Sequence, residues 1–366
     1  DGLPVAPLYN YLKPYPENLL KQFYDTYGGE EEFAKNTASP VLGSLNSGMQ
    51  IYRIKYERPE LFKKIKYALH LPQYLSYLIT GQVYTDITSI GCHTNLWDFQ
   101  KKDYHQWVYD EGIAEKFAPI LPGNQIVETA FQGNSFKVGA GLHDSSAALI
   151  PYLENFHEPF ILLSTGTWCI SLNPFNKRPL TLEELKMDSL CYMNYKGTPV
   201  KAARLFAGFE HEQETKRISQ HFGVGSSSFK TITYNAEYIT ALNARLPQGD
   251  DIKFADRDLT AFENSTEAYH QLIMDIVRQQ ERSTRLAIQD SGVHRIFVDG
   301  GFGNNDIFMH LMANAFPEEE LFAASMAQAT AVGTAIAIHK SWNSKALSGN
   351  IIELRFYPRS EGVRLD

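Results

Sequence analysis

Only three cysteines occur in 366 residues, at positions 92, 169 and 191. They are odd in number, far apart and without C-x-x-C spacing, so neither a disulfide framework nor a zinc site is indicated, and they read as reduced thiols of a cytoplasmic protein. The eleven histidines show no H-E-x-x-H or comparable ligand spacing, which leaves each as a surface or satisfied core residue, with His143 alone held open. Positive charge is in deficit, 34 Lys and Arg against 42 Asp and Glu for a net charge of -8. Neutralising phosphates needs a basic face, so nucleic acid is not an expected partner. Long apolar runs are missing too: stretches such as Phe160 to Leu163 are far too short to span a bilayer, and no charged-then-apolar leader opens the chain. There is no G-x-x-x-x-G-K-[ST], no G-x-G-x-x-G, no regular internal repeat and no low-complexity tract, which removes the P-loop and the dinucleotide fingerprint.

What is present is an ordinary folded composition, 43% hydrophobic and 21% charged, with 25 Gly and 17 Pro. The length suits about two domains. From Asn18 to Gln100 the reading is mainly helical. Leu61, Ile65, Ala68, Leu71, Leu75 and Leu78 keep close to helical spacing, Pro72 is expected to split that stretch into two helices, and Gly81 to cap its end. Both helices are expected to pack on a core, with Tyr67, Tyr74 and Tyr77 as packing groups. The texture changes around Gly133, Gly139 and Gly141, and a domain boundary is expected between Asn124 and Gly139. Beyond it, Pro159 to Leu163 suits a strand buried on both faces. Ala268, Leu272, Ile273, Ile276, Val277 and Leu286 mark one side of a long helix over Glu267 to Gln289. Arg295 to Asp299 then reads as a strand ending in Gly300-Gly301. This is an α/β pattern, in which ligands gather at the carboxyl ends of strands.

Three constellations carry candidate chemistry. In Gly139-Ala140-Gly141-Leu142-His143-Asp144-Ser145-Ser146-Ala147 a carboxylate sits among small residues, open to a substrate hydroxyl whose proton it could accept. From spacing alone, capping a helix that begins at Ser145 is the commoner role for Asp144. In Ser164-Thr165-Gly166-Thr167-Trp168, backbone N–H groups and hydroxyls at a strand end could cradle a phosphate, or form a polar turn. In Val298-Asp299-Gly300-Gly301-Phe302-Gly303-Asn304-Asn305, glycines could let adenine or a phosphate lie on bare backbone, with Asn305 bonding to a purine edge or ribose; a tight strand-to-helix turn capped by Asn is the plainer alternative. Ala329-Thr330-Ala331-Val332-Gly333-Thr334-Ala335 reads as a structural helix of small residues.

Each motif is weak alone, but their order and distances resemble the carboxyl-terminal lobe of FGGY carbohydrate kinases. Asn46-Ser47-Gly48-Met49-Gln50-Ile51, Leu71-Pro72-Gln73-Tyr74-Leu75, Thr85-Asp86 and Thr94-Asn95-Leu96-Trp97-Asp98 resemble the family's first lobe. The resemblance implies an α/β protein of two actin-like (ribonuclease H-like) lobes, residues 1–134 as the remainder of the sugar-binding lobe and 135–366 as the nucleotide-binding lobe, with sugar and MgATP in the interlobe cleft. It implies Asp144 as the catalytic base, His143 and Asp144 as sugar contacts, Gly166 and Thr167 at the nucleotide phosphates, Gly208 on a further nucleotide-side turn, and Gly300, Gly301 and Asn305 at the adenosine. ATP and Mg2+ are the implied cofactors, no residue here is implied as a metal ligand, and a homodimer is an open assembly. His143 together with Gly166-Thr167-Trp168 is similar to the kinases of L-rhamnulose and L-fuculose, which implies a ketose substrate, a 6-deoxy-hexulose among the candidates.

One departure stands at the front. The family opens with a D-x-G-T hairpin that organises magnesium, and no D-x-G-T occurs in this chain; Asp1-Gly2-Leu3-Pro4-Val5-Ala6-Pro7 resembles a later strand, so the first lobe is expected to lack its opening strands. The absence of an initiator Met suggests a trimmed version of something longer. An alternative function follows: a catalytically inactive sugar- or nucleotide-binding sensor of the same fold. An actin-like ATPase acting on protein assemblies is disfavoured by the setting of Asp144.

Overall fold

The computed structural model describes residues 2–249, 252–326, 328–349 and 351–360. The chain divides into two compact units, Asp1–Glu154 with Lys177–Lys201 and Gln328–Ser348, and Asn155–Asn176 with Ala202–Ala327 and Gly349–Asp366. The expected division at 134/135 does not coincide with this one. The Gly133–Gly141 region belongs to a hairpin and a loop, and the helix Asp144–Asn155 packs on segments of the first unit: Ser146 Oγ donates to Met193 O at 2.8 Å, and a Cβ on Gly333 would lie 1.9 Å from Ala147 O. The small-residue helix Ala329–Ala337 is thus structural, as its composition suggests, and Gly333 is the position where two helix backbones touch.

In the first unit the amino-terminal stretch is helical, with helices Glu17–Thr26, Glu30–Thr37, Ser47–Glu57, Pro59–Lys64, Leu71–Thr80 and Ile87–Ile90. Its core is aromatic: Phe23 meets Tyr24, Phe33, Tyr52 and Trp107 edge-on, with ring centroids 5.0 to 5.2 Å apart, the offset geometry that ring quadrupoles favour. Strands β1 (Trp97–Asp98) and β2 (Asp103–Tyr104) pair antiparallel. Strands β3 (Val127–Phe131) and β4 (Asn134–Val138) form a two-residue hairpin; both turn residues, Gln132 and Gly133, have positive φ (50° and 81°), matching the twist of the strands. Of the stretch Asp1 to Pro7, which resembles a family strand in sequence, the described residues 2–7 form no strand.

Pro72 is not the break between the two helices of this region. The first ends at Lys64 and the second starts at Leu71 with Pro72 in its first turn, where a missing N–H costs nothing. The chain leaves helical geometry at Ile65, and Ala68 N–H donates to Lys116 O at 2.7 Å. Gly81 caps the second helix at φ 68°. The apolar spacing does not mark a buried face there, because Leu71, Leu75 and Leu78 are each about half exposed while Gln73 is buried.

The second unit is built on a sheet. Its strands are β5 (Phe160–Thr165), β6 (Cys169–Asn173), β9 (Arg295–Gly300), β10 (Glu320–Ser325) and β11 (Glu353–Tyr357), in the order β11-β10-β9-β5-β6 and continued by β8 (Pro199–Leu205). β7 (Ser189–Met193) lies in the first unit and leads into β8 through a turn closed by Asn194 N–H to Thr198 O at 2.9 Å. β9 runs parallel to both β5 and β10, with Thr165 opposite Gly300. The 24-residue helix Ser265–Ile288 buries Ala268, Leu272, Ile273, Ile276 and Val277 completely, as the spacing predicts. No helix among the described residues is long and apolar enough to cross a membrane.

Candidate functional site

Asp144 opens the helix Asp144–Asn155, and the first helical bond runs from Ala147 N–H to His143 O at 2.9 Å. The aspartate is therefore the first helical residue and not a cap preceding Ser145. Its Oδ1 accepts from the adjacent Ser145, at 2.6 Å from N–H and 3.3 Å from Oγ. The side chain is 79% exposed, leaving the carboxylate open at the positive end of a helix. The loop before it is fixed from the helix Leu71–Thr80: Gln73 Nε2 donates to Gly141 O at 2.9 Å and Ser76 Oγ to Gly139 O. Gly141 has φ 88°, and a Cβ there would lie 2.6 Å from Pro72 O, so only glycine fits this turn.

His143 is held on both sides. Its N–H donates to Thr88 Oγ1 at 2.8 Å, and the Thr88 hydroxyl donates to Asp86 Oδ1. Asp86 caps the helix Ile87–Ile90 by accepting N–H bonds from Thr88 and Ser89 at 2.9 and 3.2 Å. Burial pushes the Asp86 carboxyl up to about 6 against the pull of those hydrogen bonds. The His143 ring stacks on Tyr192 at 5.5 Å, and its Nε2 lies 3.2 Å from Cys92 Sγ and 3.3 Å from Asp144 Oδ1. Burial lowers its pKa, with the Asp144 charge working in the opposite direction, so the ring is neutral at pH 7. His70 is pushed down to about 4 by burial and then by His143, and its Nε2 lies 2.8 Å from Ser47 Oγ. Beside the open carboxylate there is thus a neutral, partly exposed imidazole, His143, able to hydrogen-bond a hydroxyl.

Within the second unit the glycine motifs meet. A Cβ on Gly208 would lie 1.8 Å from Gly166 O, and one on Gly300, at φ 95°, would lie 2.0 Å from Thr165 O. Three turns far apart in sequence therefore touch through bare backbone. Thr165 links two of them: its Oγ1 donates to Asp299 O at 2.7 Å and accepts from Phe302 N–H at 3.0 Å. Phe209 N–H donates to Thr167 O at 3.1 Å, fixing the third. Gly301 has nothing within 4 Å of its absent Cβ, so its face is open. Asn305 caps the helix Asp306–Ala315, its Oδ1 accepting from Phe308 N–H at 2.9 Å while Nδ2 donates to Tyr269 OH at 2.8 Å; the plainer of its two expected roles is the one present. Chemically, Gly301 leaves bare backbone open to a ligand, while Gly208 and Gly300 are where the turns themselves are in contact.

Several residues around these features are not among the site residues expected from sequence. Cys92, His93, His70 and Thr88 surround His143, although their spacing fits no motif. In the second unit Trp168, Phe206 and Phe209 form an exposed ring tier, with centroids 4.4 and 4.6 Å apart and Arg204 over Trp168 at 5.1 Å. Its signal lay in the two phenylalanines flanking Ala207-Gly208. Cys169 and Cys191 have their thiols pushed up to about 12 by burial, which suits inert reduced cysteines.

Residues 157–346, about half of the chain, match the family model described as the C-terminal domain of FGGY carbohydrate kinases. Among solved structures, a carbohydrate kinase from Novosphingobium aromaticivorans superposes with a TM-score of 0.77 at 23% identity, covering 98% of this chain and 77% of that one. A xylulose kinase from Rhodospirillum rubrum gives 0.73 at 12% identity, covering 95% and 74%. A glycerol kinase from Plasmodium falciparum, solved with ADP, gives 0.71 at 17% identity, covering 93% and 72%. The fold is accordingly the α/β, two-lobed actin-like one expected from sequence.

Proposed function

Because the chain belongs to the FGGY carbohydrate kinase family, we propose that this ATP-dependent sugar kinase transfers the γ-phosphoryl group of MgATP to a hydroxyl of a ketose, with Asp144 as general base. The observation that carries the reading is the Asp144 carboxylate: it is 79% exposed at the start of a helix whose preceding loop is pinned by Gln73 and Ser76. It accepts the hydroxyl proton as the oxygen attacks phosphorus, and its placement by a rigid loop supplies the alignment on which phosphoryl transfer depends. His143, neutral and 3.3 Å from Asp144 Oδ1, contacts the sugar and orients the carboxylate.

Gly166 and Thr167, with Gly208 against them, meet the nucleotide phosphates. Gly300 and Gly301 take the adenosine on bare backbone. Gly208 and Gly300 support the reading by letting the turns close backbone to backbone, and Gly301 by leaving its own face open to a ligand. Asn305 acts there by fixing the turn, since its side-chain oxygen and amide are both engaged. Among the described residues no oxygen-rich group of side chains gathers for Mg2+, and the ion arrives as part of the MgATP substrate. The substrate class rests on the motifs: His143 before the aspartate and Gly166-Thr167-Trp168 favour a 6-deoxy-hexulose such as L-fuculose or L-rhamnulose.

The test is a coupled assay of ADP release by full-length protein across ketoses, ketopentoses and polyols. A ketose should stimulate ADP release, with 6-deoxy-hexuloses highest in kcat/KM, and Asp144→Asn should lower kcat by at least about a hundredfold while nucleotide affinity holds. Stimulation by polyols alone would overturn the ketose assignment. An Asp144→Asn protein with wild-type kcat would overturn the base.

A further inference from the structure

Cys92 and His93 are neighbours and His143 lies fifty residues further along the chain, yet the fold brings one ligand atom from each within 4.8 Å of the others. We propose that these three side chains bind a zinc-class divalent cation, with one coordination position left open beside Asp144. The donor set is one thiolate and two imidazoles, which selects zinc, cobalt or copper and not the oxygen-seeking Mg2+ that accompanies ATP. Three protein ligands and an open place is the arrangement of accessible zinc sites, in contrast to the closed four-ligand sites that hold folds together.

The geometry is close to what such an ion needs. Tetrahedral bonds of about 2.3 Å to sulfur and about 2.0 Å to nitrogen put the donor atoms about 3.5 Å apart. Cys92 Sγ and His143 Nε2 are already 3.2 Å apart, so the site closes by a shift of little more than about 1 Å at His93. The backbone is built for it. Neighbouring side chains on an extended chain point to opposite sides, but His93 has φ 38°, a left-handed bend uncommon for a residue other than glycine. The carbonyl of His93 accepts from Asn46 Nδ2 at 2.9 Å, which holds the bend. Cys92 is only 2% exposed, whereas the side chains of His143 and Asp144 are 23% and 79% exposed, so the ion enters past Asp144. Because His143 Nε2 also lies 3.3 Å from Asp144 Oδ1, a bound dication sits next to the carboxylate and lowers its basicity.

The measurement is metal binding, so it stands apart from phosphoryl transfer. Full-length protein, reduced and freed of metal by a chelator, is titrated with Co2+. The expected result is a near-ultraviolet sulfur-to-cobalt charge-transfer band that saturates at one equivalent and disappears when Zn2+ is added. Cys92→Ser should abolish the band. His93→Asn, chosen because asparagine tolerates a left-handed backbone, should weaken Zn2+ at least about tenfold against a chromophoric chelator, with the melting temperature of the metal-free protein unchanged. Absence of the band in the wild-type protein overturns the site, as does a band that survives in Cys92→Ser and therefore belongs to another thiol. The wild-type titration decides the matter even where a variant does not fold.

Discussion

Replacing Gly208 with alanine isolates the turn cluster of the second unit. Gly208 lies in the helix Ala207–Phe222, where alanine is favoured over glycine by about 1 kcal/mol, so local propensity alone predicts a more stable protein. Its new Cβ, however, would lie 1.8 Å from Gly166 O, 2.8 Å from Gly166 C and 3.0 Å from Thr167 O. Restoring ordinary contact requires the turn and the helix to separate by roughly 1.5 Å. Overpacking of this kind costs about 1 to 3 kcal/mol, so the net change is a destabilisation of about 0 to 2 kcal/mol. The functional effect is larger if the turn positions phosphates as proposed, because a displacement of about 1 Å there costs about a hundredfold in rate. Gly208→Ala should therefore lower kcat/KM for MgATP about a hundredfold with little change in the KM for sugar, read by coupled ADP release. Gly225→Ala is the control: its backbone is ordinary at φ -73° and its new Cβ would meet Ser227 Oγ at 3.7 Å, so activity should hold. A Gly208→Ala protein that is more stable and fully active would refute the reasoning, since the turns would then be shown to part freely.

Two further outcomes concern the first unit. Lys201 and Glu184 form an ion pair at 2.5 Å with side chains 1% and 4% exposed; Glu184→Ala removes the anion facing a buried ammonium and should cost about 3 to 5 kcal/mol, a fall in melting temperature on the order of 10 °C, while replacing both residues with methionine should recover most of it. Asp86 has a folded pKa of about 6 against an ordinary 3.8, so between those pH values the folded state holds more proton than the unfolded one and this group's contribution to stability falls as pH rises, by about 3 kcal/mol in all. Asp86→Asn keeps a capping oxygen without the charge, and the difference between the two stability profiles should rise in favour of the variant from pH 4 to pH 6; calorimetry showing parallel profiles would contradict the burial of an ionisable carboxyl there.

The parts of the fold that were legible in the sequence are those whose signal is local. Phe160 to Leu163 reads as a buried strand because an apolar run that short, followed by Ser-Thr-Gly, has few other uses, and β5 is buried nearly throughout. The long helix is legible because its apolar period persists over six turns. Pro72 and the leucines around it were misread for the same physical reason: periodicity reports which side of a helix is apolar and not whether anything covers that side. Leu71, Leu75 and Leu78 keep the spacing of a core face and stand half exposed, while the buried contact of that helix is a glutamine holding Gly141. Composition places a division at 134/135 and carries no sign that Lys177–Lys201 and Gln328–Ser348 return to the first unit, because no composition change marks a chain that crosses back.

The candidate site divides along the same line. Asp144 and the glycine turns could be named because the chemistry lies within a few consecutive residues, but the company they keep could not. Cys92, His93 and His143 come together only through the Asp86–Thr88 cap and the bend at His93, a juxtaposition with no spacing rule. Asn305 shows how a local reading can offer two roles that the geometry then ranks. With Oδ1 on Phe308 N–H and Nδ2 on Tyr269 OH, its side chain has one amide hydrogen left for a ligand, so its weight falls on the shape of the turn. Asn305→Ala should accordingly cost about 1 kcal/mol of stability as a lost cap and weaken nucleotide mainly through that loosened turn, whereas Asn305→Asp, which keeps the capping oxygen but places an anion there, should hold the melting temperature and still lower nucleotide affinity. Wild-type affinity in Asn305→Ala, measured by calorimetric titration of an ATP analogue, would refute the part assigned to the turn.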